Sequence, residues 1–300
     1  MLSDKKFIEA AYIQEGMSPE PGVVVVCATV GDDDDNPETR LGVRSSRGWI
    51  EFGIDGFSGL SVDTHPSGFG CALGESGAVI KFDWTAKDQA ALEDSATLFE
   101  NARVDEEGPL RRIRILGKDI ITAGSVGQAY VLARGRFIEL PKLLIGGVAP
   151  TIEDLAGESR KDFLAVTSDG YVAHFDGRKW TVLDFPSNAS FTSICITRPG
   201  HYAVCGKNGT VVVGSLSGWS VVPGLDDDVD YWGIAVSEMR IYAANLDGID
   251  EISPSGATPV FINDDSLDFA VLRSCQDGVW SFANQTVGCV AGGVWTNVLP

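Results

Sequence analysis

Phe163-Leu-Ala-Val-Thr-Ser-Asp-Gly-Tyr-Val-Ala-His-Phe-Asp-Gly-Arg-Lys-Trp180 and Tyr202-Ala-Val-Cys-Gly-Lys-Asn-Gly-Thr-Val-Val-Val-Gly-Ser-Leu-Ser-Gly-Trp219 read as two copies of one unit. Each is an apolar strand, a tight polar-Gly turn, a second strand, a second turn, and an aromatic that opens a third strand. Working outward, the aromatic marker recurs at Trp49, Phe99, Phe137, Trp180, Trp219, Phe261 and Trp295, at an average spacing of about 41 residues. That is the period of a β-propeller blade. Seven markers predict an all-β, seven-bladed propeller of four-stranded antiparallel blades, because a blade alone cannot bury both of its faces and must stack in a closed ring.

The blades are expected over about 7–53, 57–101, 110–141, 152–186, 191–223, 231–262 and 267–299, so that 1–300 form a single domain. In the first blade the strands are read as Phe7–Ile13, Val23–Val30, Leu41–Arg44 and Trp49–Phe52. Residues 1–14 either start this blade or add an outer strand. The second blade carries an insert, 85–96, where Thr85 followed by Asp88 reads as a helix N-cap with an acid in the first turn. Turns between second and third strands recur as Glu75-Ser-Gly, Val126-Gly, Ser168-Asp-Gly, Lys207-Asn-Gly and Leu246-Asp-Gly. Asn-Gly and Asp-Gly favour the type I′ hairpin turn, whose two central residues need positive φ.

Gly206-Lys-Asn-Gly-Thr-Val211, with Gly218-Trp219, resembles the repeats of photosystem II assembly-factor propellers and generic WD40-like blades. The likeness covers three blades and implies the fold alone. The Trp-Asp ends of WD40 repeats and the Ser-x-Asp-x-Gly-x-x-Trp boxes of sialidases are missing, so no functional residue is carried over.

Composition narrows function. The chain has 300 residues, 44% of them hydrophobic, and a formal net charge of −19. Such a charge argues against nucleic acid and anionic membranes as partners and for a basic protein partner. The N-terminal stretch has no apolar signal core, and the six cysteines form no Cys-x-x-Cys pair. They read as reduced core residues of a cytoplasmic protein, expected to be monomeric when alone.

Strand order converts the charges into geometry. Connections between blades, and turns between second and third strands, fall on one face, here called the top; the other turns fall on the bottom. The top is expected to hold Asp32, Asp33, Asp34, Asp35, Asp105, Glu106, Glu107, Asp226, Asp227, Asp228, Asp230, Asp264 and Asp265, together with Asp55, Glu75, Glu153-Asp154, Asp169, Asp184, Asp247 and Asp268. The bottom holds Arg47, Lys118, Arg134, Arg136, Arg160-Lys161, Arg178-Lys179, Arg198 and Arg240. An acidic top fits a basic partner, with Tyr231-Trp232 as candidate anchors, since buried aromatics dominate interface energy. The bland alternative places Trp232 at the start of an inner strand, in the core.

Signs of chemistry are few. There is no nucleophile-elbow or phosphate-loop motif, and the three histidines, His65, His174 and His201, share no ligand spacing. No metal and no cofactor is predicted. Asp226, Asp228 and Asp230 alternate as in calcium loops, but Tyr231 stands where that loop needs Gly and Ser237 where it needs Glu. The expectation is therefore a non-enzymatic, protein-binding propeller, in one concrete form an immunity protein that inhibits a basic toxin such as a nuclease. The alternative is a propeller hydrolase, lyase or lectin with a site in the central channel.

Overall fold

The computed structural model describes residues 11–30, 38–55, 57–101, 108–262, 271–283 and 286–299. Twenty-eight strands form seven antiparallel sheets of four, each built from consecutive strands. The first sheet is β1 (Ala11–Met17), β2 (Val24–Val30), β3 (Glu38–Ser45) and β4 (Gly48–Asp55). The second is β5 (Gly59–Thr64), β6 (Phe69–Gly74), β7 (Val79–Asp83) and β8 (Thr97–Phe99), and the third is β9 (Leu110–Leu116), β10 (Asp119–Gly124), β11 (Ala129–Ala133) and β12 (Arg136–Glu139). The fourth is β13 (Ile152–Ser159), β14 (Asp162–Thr167), β15 (Val172–Phe175) and β16 (Trp180–Val182), and the fifth is β17 (Phe191–Arg198), β18 (His201–Gly206), β19 (Val211–Ser215) and β20 (Gly218–Val221). The sixth is β21 (Gly233–Ser237), β22 (Arg240–Asn245), β23 (Gly248–Ser253) and β24 (Gly256–Ile262), and the seventh is β25 (Val271–Cys275), β26 (Gly278–Ala283), β27 (Thr286–Ala291) and β28 (Val294–Leu299). All seven aromatic markers lie on fourth strands, so the expected seven-bladed propeller is what forms.

Period-two alternation explains how the blades stack. Along β2, Val24, Val26 and Ala28 face the seventh blade, where they meet Trp280, Phe282 and Val287. Val25 and Cys27, on the opposite side of the pleat, meet Phe57, Val62 and Ala72 of the second blade. A run apolar on both faces is what a strand between two neighbours requires. The same pattern makes an apolar layer at every junction, with Phe163 against Phe175 and Trp180, and Phe191 against Phe185. Complete burial of one such side chain contributes about 1.5–3 kcal/mol.

First strands contact one another around the ring, which places them nearest the axis. β1 packs on β25 and β26 and pairs with β2, so residues 11–14 belong to the inner strand of the first blade and not to an added outer strand. Among the described residues the ring thus closes without exchange of a strand between first and last blades. Some boundaries differ from expectation: β3 and β4 run beyond Leu41–Arg44 and Trp49–Phe52 at both ends. β1 runs on to Met17, past Ile13, while Phe7–Ala10 lie outside the described residues. The insert helix α1 (Gln89–Ser95) begins later than Thr85: Asp88 is its N-cap and accepts from the Ala91 amide at 2.9 Å, whereas Thr85 bonds back to Asp83.

Candidate protein-binding face

The top is assembled by a repeated backbone contact. Four of the five polar-Gly turns lean on the start of their own blade: Glu75 N donates to Ser58 O, Ser125 N to Pro109 O, Ser168 N to Thr151 O and Lys207 N to Ser190 O. The turns and the inter-blade connections therefore share one face, as strand order predicts. Two of the turns have positive φ at both central residues, Asn208-Gly209 (57° and 60°) and Val126-Gly127 (47° and 65°). At Asp169-Gly170 and Asp247-Gly248 only the glycine is positive, so the type I′ expectation does not extend to those Asp-Gly turns.

The acid run between the fifth and sixth blades is stapled to one of these turns. Asp230 Oδ1 accepts from the Asn208 amide at 3.0 Å, and Gly209 N donates to Val229 O at 2.6 Å. A Cβ on Gly209 would collide with the Asp226 carbonyl, so the close approach requires glycine. Asp226 Oδ1 accepts from the Asp228 amide at 3.0 Å. Asp226, Asp227 and Asp228 are exposed, and among the described residues they make no ion pair. Their carboxylates serve backbone amides or face solvent, and among the described residues no acidic, His or Cys cluster could hold a metal.

The two predicted anchors part company. Tyr231 is not available to a partner: it is buried, packed with Cys205, Val211 and Ile234, and its hydroxyl donates to Asp250 Oδ2 at 3.1 Å. Burial, reinforced by the Asp250 carboxylate, pushes its phenol far above the ordinary range. An aromatic at the start of an inner strand is needed to fill the blade junction, and that demand takes Tyr231 inside. Trp232 remains partly exposed, with the Lys207 ammonium 5.6 Å from its ring centroid. Asp32–Asp35, Asp105, Glu106, Glu107, Asp264 and Asp265 lie outside the described residues.

A second acidic set went unrecognised in the sequence. Asp154, expected in a top connection, lies on β13, buried at the axis. Its Oδ1 accepts from Arg114 Nη2 at 2.6 Å and its Oδ2 from Ser193 Oγ at 2.9 Å. Glu15, fully buried on β1, accepts from the Val62 amide at 3.0 Å, from Ser61 Oγ and from Arg114 Nη1, and pairs with Arg273. Asp63 accepts from the amides of Ile115 at 2.7 Å and Thr64 at 2.8 Å. Burial raises the Asp63 carboxyl above its ordinary range and holds the Arg273 guanidinium down at about 10. The cause is geometric. Inner strands of adjacent blades do not pair, so their inward amides need acceptors, and side chains of the preceding blade supply them. The available signal was charge inside an apolar run, at the third or fifth residue of first strands (Asp63, Arg112, Arg114, Asp154, Arg273).

On the bottom, Lys118, Arg134, Arg136, Arg160, Lys161, Arg178 and Lys179 are exposed on the third and fourth blades, as expected. Local acids temper them: Asp119 lies 3.8 Å from Arg160, and Asp162 bonds His174 Nε2 at 2.7 Å.

No protein-family model matches the chain. The curated Immune protein Tsi7 of Pseudomonas aeruginosa (strain PAO1) is 26% identical over 147 residues, which cover 49% of this chain and 48% of that protein. The chain therefore spans about half the length of the curated relative it matches. Among solved structures, the WD40 β-propeller domain of Doa1 superposes with a TM-score of 0.70 at 13% identity, covering 92% of this chain and 91% of that one. YCF48 bound to a D1 peptide gives 0.66 at 13% identity, covering 93% and 90%. The designed Ika8 protein gives 0.61 at 13% identity over 96% of each chain. These structural likenesses show the fold.

Proposed function

We propose that this propeller is a non-enzymatic binding protein whose acidic top docks a basic protein, and that it acts as an immunity protein masking a basic toxin such as a nuclease. The observation that carries this reading is the crest Asp226–Asp228: three adjacent exposed carboxylates in a connection stapled to the Asn208-Gly209 turn, with no ion pair among the described residues. Like charges so placed repel one another, and a cationic partner relieves that repulsion while speeding encounter. An enzyme that grips a phosphate backbone presents such a cationic surface. The name of the curated relative supports the same class of role.

The test is a binding measurement with the basic protein recovered on the immobilised chain from its source cells. Replacing Asp226, Asp227 and Asp228 together by Asn is expected to slow association about 10-fold at low salt and to flatten its salt dependence. Recovered partners that are not basic, or an unchanged salt dependence, would refute the reading.

A channel-sited enzyme or lectin is favoured by one observation, the convergence of Glu15, Asp63 and Asp154 on the axis. Each of these acids already holds a guanidinium or a backbone amide, which leaves acid–base work to groups nearer the mouth, such as Glu153. A rise in melting temperature with millimolar oligosaccharides would support this second reading; an unchanged melting temperature across such a panel would count against it.

A further inference from the structure

With Tyr231 inside, the acidic crest keeps only the partly exposed Trp232 beside it, yet the same face carries a more open apolar feature two blades away. Between the third and fourth blades, Ile145 and Val148 exchange backbone hydrogen bonds of 2.8 and 3.0 Å around Gly146-Gly147, both at positive φ. The result is a small hairpin finger. Its base is clamped: Leu143 is buried and donates to Gly127 O at 2.9 Å, Gly127 N donates to Pro150 O at 2.6 Å, and Trp180 Nε1 donates to Pro141 O at 2.7 Å. Its tip is apolar and open, with Leu144 54% and Val148 68% exposed. The turn that clamps it carries a further exposed apolar side chain, Val126.

Val126 makes this arrangement hard to read as chance. It is a β-branched residue at φ 47°, ψ 37°, in the left-handed region that such residues avoid. Glycine would occupy the turn without strain, so the fold gains nothing from valine there. A strained, exposed apolar residue points to a contact made outside the chain.

We propose that the finger and the turn that clamps it (Val126, Leu144, Val148) are the apolar anchor site of the top face, occupied by an apolar side chain of the basic partner that is ringed by cations. The charges of the face choose this occupant. Asp169, in a turn between second and third strands, Asp184, in an inter-blade connection, and Asp226–Asp228 are exposed on the same top face. An apolar anchor on an acidic face complements an apolar residue on a basic one. The clamped base means that little ordering entropy is lost on docking. This inference rests on the protein-binding reading given above.

The experiment places the photo-crosslinker p-benzoylphenylalanine at Val148, at Asp227 and at Arg178 of the full chain, in source cells. The expected result is that Val148 and Asp227 capture the same basic protein and Arg178 does not. If Asp227 captures it while Val148 captures nothing, a different protein or a second copy of this chain, the anchor site is wrong and the acidic-face reading stands. If neither top position captures a basic protein, the acidic-face reading itself falls. With the captured protein purified, Leu144→Ser with Val148→Ser is expected to raise Kd about 10- to 100-fold, mainly through faster dissociation and independently of salt. Val126→Gly is expected to raise the melting temperature while weakening binding several-fold. Unchanged Kd in both variants overturns the proposal.

Discussion

Acidic residues do opposite things at the centre and at the rim of this ring. At the axis, Glu15, Asp63 and Asp154 are buried, and they bind backbone amides, hydroxyls or guanidiniums of neighbouring blades. On the top, Asp226–Asp228 are exposed and bind no cation among the described residues. The contrast shows that residue type alone does not tell a structural acid from a recognition acid. What separates them is burial and reach: the axial carboxylates are buried and bind groups of the next blade, whereas Asp226 is exposed and takes only the amide of Asp228 two residues on.

The largest effect should come from breaking the centre. Glu15→Ala strands Arg273 inside the ring, leaves Arg114 with Asp154 as its one carboxylate and frees the Val62 amide, and is expected to cost about 3–5 kcal/mol in a urea titration. The triple Asp226/227/228→Asn change should move the same titration by less than about 0.5 kcal/mol. Should the two costs come out alike, the division between centre and rim would be wrong.

A smaller effect tests the boundary between the two regions. Tyr231→Phe keeps the ring in its junction and deletes the bond to Asp250, so a loss of about 1 kcal/mol in stability is expected. Unchanged partner binding in that variant would agree with Tyr231 as a core residue; a large loss of affinity at preserved stability would restore it as an anchor.

The smallest effect is in pH. Burial raises the carboxyls of Asp63, Glu51 and Asp250 above their unfolded values. A carboxyl raised in this way binds its proton more readily in the folded state. Its contribution to stability is therefore gained as pH falls through the folded pKa and is lost as pH rises through it. Between pH 7 and about 5 the melting temperature should rise slightly, aided by relief of the net charge. Asp250→Asn, which still accepts from Tyr231, should flatten part of that rise; a melting temperature that falls over this range would contradict the assignment.

Legibility in the sequence followed the range of the interaction. Blade number, fourth-strand aromatics and the sorting of turns onto faces were readable because each depends on local period. Asn208-Gly209 was readable for the same reason, as a dipeptide that tolerates positive φ. The pairing of Glu15 with Arg273 was not, because it exists only after the last blade meets the first. Tyr231 misled because it follows a polar loop and yet opens a strand whose junction needs filling. Thr85 competed with Asp88 as a cap, and the residue nearer the helix prevailed. The finger at Ile145–Val148 escaped notice because Leu143-Leu-Ile reads as core, and only Leu143 is.

The absence of strand exchange between the first and last blades reaches beyond stability. Each blade is one unbroken stretch of chain, so the units of the sequence coincide with the units of the binding face. Recombination within an inter-blade connection would swap a whole turn-and-loop segment of the top, crest or finger, without asking any neighbour to re-pair a strand. A face divided in this way can be retargeted to a changed partner one sector at a time, while the charged axis keeps the ring shut.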